Sequence, residues 1–145
     1  MGSDVCSSDL DEEDNIDDGF YAMAQCAYAG IHLGFLSVFH RMSNHMDIQL
    51  VFSRDRRHWQ RFNRREPWLT VGEPGAWDQG MVAASSPVFE VGDELFFYHG
   101  GSYCHHDYWI WGPREGMDHP EISDPNLVRF GLGLARLRKQ GFVSF

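Results

Sequence analysis

Trp77-Asp78-Gln79-Gly80-Met81-Val82-Ala83-Ala84-Ser85-Ser86-Pro87-Val88-Phe89-Glu90-Val91-Gly92-Asp93-Glu94-Leu95-Phe96-Phe97-Tyr98-His99-Gly100-Gly101 decides how this chain folds. Gly92-Asp93 separates two apolar runs, and a glycine able to take positive φ beside an aspartate is hairpin-turn chemistry. The run after the turn holds Phe96, Phe97 and Tyr98, which suit a packed pleated surface. The stretch therefore reads as a carboxylate-bearing loop, an inner strand, a tight turn and an aromatic strand.

The same pattern occurs once upstream. Asp17-Asp18-Gly19-Phe20 matches Asp78-Gln79-Gly80-Met81 at a spacing of 61 residues. Tyr28-Ala29-Gly30 matches Phe89 through Gly92, and Phe35–Phe39 matches Phe96–Tyr98. Gly19–Ala27 and Ile31–His40 read as strands around Tyr28-Ala29-Gly30, and the glycines at 19, 30 and 34 argue against a helix there. Arg41–Met46 reads as a polar loop. Ile48–Phe52 then alternates into Ser53-Arg54-Asp55-Arg56-Arg57-His58-Trp59, a hairpin whose tip aspartate can bond nearby amides and whose Trp can cover the end. Its downstream counterpart is Gly131–Ala135 with a hairpin to Phe142, once a long insertion at 102–128 is allowed.

Each unit then has four antiparallel strands. Four-stranded units recurring at roughly 40–60 residues are the mark of propeller blades, whose faces cannot be buried alone. The expected fold is all-β, about two four-stranded antiparallel blades of a β-propeller. Residues 1–10 resemble the translation of a sequencing adapter and are set aside from fold reasoning. Residues 11–18 form an acidic, solvated lead-in. Residues 19–62 make one blade, 63–79 a connecting loop, and 80–145 a second blade carrying the 102–128 loop. On this reading both ends are cut, and the missing blades of the same chain are expected partners.

Composition narrows the function classes. The chain of 145 residues is 43% hydrophobic and 14% aromatic, which suits a packed core. The net charge of −9 misleads, because eight acids and no base lie in residues 1–18, leaving thirteen acids against twelve bases beyond them. No basic footprint for nucleic acid remains. No apolar run approaches the ~20 residues of a membrane helix. Cys6, Cys26 and Cys104 show neither metal spacing nor a disulfide framework, and no metal or cofactor is expected. Met1–Leu10 has neither the basic start nor the apolar centre of a signal peptide, and with the true N-terminus read as missing a secreted or extracytoplasmic site stays open.

The Ser53-Arg54-Asp55…Trp59 tip resembles the Ser-x-Asp…Trp turn of five-bladed propellers in glycoside hydrolase families 32 and 43. The Trp77-Asp78…Pro87…Gly92…Tyr98-His99-Gly100 run resembles blades of that clan and of the related mannoside phosphorylases. Gly131-Leu132-Gly133-Leu134-Ala135-Arg136…Gly141-Phe142-Val143-Ser144 is similar to uncharacterised bacterial members of the superfamily. The resemblance runs from about Asp17 to Phe145. It implies a five-bladed β-propeller, a carbohydrate in a central funnel and inner-strand carboxylates that cleave or transfer a glycosidic bond, one protonating the leaving oxygen and one attacking or activating water.

The residues carrying that expectation are few. Asp78 and Asp17 occupy equivalent places at the entrance to an inner strand and form the candidate catalytic pair. His99, His106, Asp107, Tyr21 and Trp109 are the candidate substrate contacts, drawn from the aromatic strand, the His105-His106-Asp107 run, the strand after Asp17 and the long loop. Tyr103, Tyr108 and Trp111 share that loop. No Trp-x-Asn-Asp-Pro, Arg-Asp-Pro or Glu-Cys occurs, and no inner-strand glutamate supplies a general acid. The alternative is therefore a propeller that binds carbohydrate without cleaving it, or a scaffold.

Overall fold

The computed structural model describes residues 12, 14–62, 65–84, 88–108, 121 and 123–142. Eight strands are described: β1 (Asp18–Tyr28), β2 (Ile31–His40), β3 (His45–Ser53), β4 (Trp59–Arg61), β5 (Met81–Ala84), β6 (Phe89–Val91), β7 (Glu94–Ser102) and β8 (Phe130–Arg138). They form one mixed sheet in the order β1-β2-β3-β5-β7-β6, with β4 on β3 and β8 on β7.

Turn chemistry sets the first hairpin. Ala29 and Gly30 have φ of 49° and 83°, the two positive values of a tight hairpin whose twist matches its strands. Pairing runs from Tyr28↔Ile31 to Asp18↔His40, with one irregularity between Phe20 and Ala22. The next turn is tighter than its polar sequence suggests. Asn44 takes φ 57°, and β3 begins at His45, so residues read as loop are already paired.

Alternation along β2 and β3 then sorts the side chains. Leu33, Phe35, Ile48 and Leu50 point to one face and pack with Val82 and Phe97 from the later strands. Trp68 and Leu69 close this core from the connecting segment. Their amides donate to the Ile48 carbonyl at 2.7 and 3.1 Å, and the Trp68 ring lies 5.2 Å from both Phe35 and Phe97. Leu36, Val38 and Val51 point the other way, under Phe20, Met23 and Trp59.

β1 to β4 form an antiparallel meander. β5 and β6 occupy successive stretches of one edge of β7, and β8 takes the other edge along its whole length. The inner strand that the sequence suggested as continuous is thus two short strands, with residues 85–87 between them outside the described set. Among the described residues this second group is three strands wide; the fourth strand expected at 142–145 falls largely outside them. Gly141 and Phe142 lie in a turn, and 143–145 fall outside the described residues. Phe142 packs inward, 5.2 Å from Tyr28 and 6.2 Å from Phe35. A single parallel pair, Met46↔Met81, joins the two groups in the ladder.

The registers align one end of the sheet. Asp18, His40 and His45 are successive cross-strand neighbours there, and Met81, Ser102 and Phe130 form a second row joined to them one residue along β3 by the Met46↔Met81 pair. On the face of β6, β7 and β8 turned from the core, Phe89 (40% exposed), Phe130 (63%), Leu132 (68%) and Leu134 (44%) remain open to solvent.

Candidate functional site

Three clusters lie at or near the aligned sheet end. The first follows from hairpin register. His40 ends β2, Asp18 is its partner on β1, and Asp47 lies two residues beyond its partner on β3, on the same face. The His40 ring donates from Nδ1 to Asp18 Oδ1 at 2.6 Å and from Nε2 to Asp47 Oδ2 at 2.9 Å. Asp18 and Asp47 are buried. The Asp47 hydrogen bond, reinforced by Asp18 against the penalty of burial, lifts the His40 pKa to about 9. A histidine held protonated near neutrality is a poor proton acceptor there. The trio is built to tie β1 to β3.

The second cluster joins the β2–β3 turn to the segment after β7. Asn44 Oδ1 accepts from the Asp107 amide at 2.9 Å, and the Asn44 carbonyl accepts from the His106 amide at 3.2 Å. His106 bonds Asp107 Oδ1 at 2.6 Å and lies between Tyr21 and Phe39, with ring centroids 4.8 and 4.6 Å away. Beside it, Glu121 Oε1 accepts from both the amide and the ring of His105, at 2.6 and 2.5 Å. Burial raises the Glu121 pKa, but these hydrogen bonds outweigh it and hold the carboxyl below the usual range. Among the described residues no three His, Cys, Asp or Glu side chains converge as a metal site.

The third cluster is a turn laid over β7 and β8. The Gln79 amide donates to the Ala76 carbonyl, which closes the turn over Trp77 and Asp78. The Gln79 side chain accepts from the Gly75 amide at 2.5 Å and donates to the Tyr103 carbonyl at 3.2 Å. The Gly80 amide donates to Ser102 at 2.9 Å. The turn is pinned from both sides. It lays Trp77 beside His99, rings 5.8 Å apart and tilted by 31°, with Phe97 continuing the row 6.4 Å beyond His99. His99 is 7% exposed, yet its Nδ1 has no hydrogen-bond partner. The Asp78 carboxylate lies against the Gly72 Cα, and Cβ of Asp78 packs on Gly101.

These placements divide the residues singled out from sequence. Asp78 and His99 meet through Trp77. Tyr21, His106 and Asp107 meet in the second cluster. Asp17 joins neither; its carboxylate accepts the Met42 amide at 3.3 Å, and its carbonyl accepts the Arg41 amide at 3.1 Å. β2 and β3 stand between the strands that follow Asp17 and Asp78, roughly 14 Å of backbone at ~4.8 Å per step. Glycosidase carboxyl pairs sit about 5–9.5 Å apart. Trp109 lies outside the described residues. His40, Asp47, Asn44 and Glu121 were not singled out in the sequence as site residues, and Asp18 entered only through the Asp17-Asp18-Gly19-Phe20 match. The signal for the trio was a His and an Asp flanking a short polar turn, legible only once the register is known. Comparison with protein-family models, curated proteins and solved structures finds no match to this chain.

Proposed function

We propose that the chain is a two-unit piece of a five-bladed propeller that binds carbohydrate at the aligned sheet end, its carboxylates contacting hydroxyls. The observation carrying this reading is the pinned turn that presents Asp78 and lays Trp77 beside His99 of β7. Among the described residues the Asp78 carboxylate has neither a hydrogen bond nor an ion pair, and an ionised carboxylate is a strong acceptor for sugar hydroxyls. The propeller reading draws on the open apolar face. Phe35, wholly buried against β7, has Phe96 as its counterpart 61 residues on, and Phe96 lies on the face with exposed Phe89, Leu132 and Leu134. A further sheet unit would cover that face as the second group covers Phe35.

The cleaving reading, a glycoside hydrolase when joined to further blades, draws on the shared position of Asp17 and Asp78 at one end of the sheet. A glycan array probed with the chain and with Asp78→Ala tests the binding reading, and release of nitrophenol from aryl glycosides tests the cleaving one. Binding lost in Asp78→Ala without aryl-glycoside turnover is the expected result. Array signals unchanged by Asp78→Ala would refute the assignment of the site.

A further inference from the structure

We infer that Trp77 is a stacking platform for one pyranose ring, with Asp78 as the hydroxyl acceptor at its edge. This rests on the carbohydrate reading above and adds the ligand's ring form and pose. Trp77 is large and apolar, yet 42% exposed. Its indole can pack against the sheet because the strands beneath lack side chains there. A Cβ on Gly101 would come within 2.6 Å of Trp77 Cζ3, and one on Gly131 within 2.7 Å of Cε3. Gly101 and Gly131 are cross-strand partners, so the two bare positions form one floor. Next along, Gly133 pairs with His99 and leaves room for the imidazole, which a Cβ there would strike.

The bare floor thus holds the indole against the sheet while a large part of the residue stays open to solvent. An apolar core would bury the ring, and an incidental surface Trp would not be fixed by a closed turn, a side-chain bridge and a glycine floor together. Preorganised aromatic area binds with little loss of conformational freedom. An exposed flat π-face suits the C–H face of a pyranose, and the adjacent carboxylate suits the hydroxyls at its rim. His99 lies beside the indole, ring centroids 5.8 Å apart, and its unpartnered buried Nδ1 adds a polar group to the aromatic row.

The test is calorimetric titration of the full chain with β-linked glucose, mannose and xylose tetrasaccharides. Wild type, Trp77→Ala, Trp77→Phe and Gly131→Ala are compared, with near-ultraviolet circular dichroism checking the fold. Expected is binding of at least one tetrasaccharide, at least tenfold weaker in Trp77→Ala, intermediate in Trp77→Phe and weakened in Gly131→Ala, where the indole is present but lifted. Binding kept within twofold in Trp77→Ala overturns the platform and leaves the carbohydrate reading standing. No binding by wild type overturns both.

Discussion

Replacing His40 with glutamine removes the one cation between Asp18 and Asp47, and the size of the loss can be worked from its titration. The pKa rises from 6.5 to about 9 in the folded chain. At 1.36 kcal/mol per pH unit this is about 3 kcal/mol, trimmed to about 2–3 because the side chain is 24% exposed. The sign follows from proton counting. Below pH 6.5 both states hold the proton, and the contribution is whole. Between 6.5 and about 9 only the folded state holds it, so stability falls as pH rises, and above about 9 the contribution is gone. Urea unfolding followed by tryptophan fluorescence from pH 6 to 8.5 reads this window. It stays below the range in which Cys26 and Cys104 titrate, since burial pushes both thiols up from 9.0. Wild type should exceed His40→Gln by about 2–3 kcal/mol at pH 6, with most of that gap closed at pH 8.5. A gap that stays constant across this range would refute the buried imidazolium.

Phe35→Ala, at a position with no exposure, should cost about 3–5 kcal/mol in urea unfolding. Gly80→Ala drives a methyl into the backbone carbonyl of Cys104, where neither chain can yield cheaply; a loss of about 1–3 kcal/mol in thermal unfolding is expected. Asp55→Ala should lower the melting midpoint at pH 7, with the difference from wild type shrinking as pH falls below 3.8. The amides of His58 and Arg57 and the His58 ring hold this carboxyl well below its usual range, so its contribution fades as it protonates. Leu132→Ser with Leu134→Ser should raise the concentration at which light scattering detects aggregation, because both sit on the open apolar face.

Local chemistry made much of the fold legible. Ala29-Gly30 and Gly92-Asp93 announced their turns, and Gly92 takes the positive φ its place requires, 61°. Asp55 in its hairpin tip gathers the amides of Arg57 and His58, as such a tip demands. Non-local facts were harder. That Trp68 and Leu69 leave an apparent loop to bond Ile48 depends on a register that local spacing does not encode. The break between β5 and β6 did have a signal in Ser85-Ser86-Pro87, two polar residues and a proline inside the run that reads as one strand. For the site, Asp78 and His99 were legible as residue types in an aromatic context. The packing of Trp77 on the sheet was not, because it depends on Gly101 and Gly131 being cross-strand partners. Asp17 read as the equivalent of Asp78, but the neighbouring Asp18 takes the buried position beside His40.

The lone Met46↔Met81 pair also bears on how the chain acquires its shape. The meander of β1 to β3 is built from near neighbours, whereas its union with β5 and β7 closes a long loop for one ladder contact. Early contacts should therefore form within the meander, with docking of the later strands as the slow, entropically opposed event. Cooperativity between the halves is then carried by the interlocked rings of Phe35, Trp68 and Phe97 and scarcely by the backbone. Trimming one of those rings should split a single unfolding transition into two before it abolishes either half.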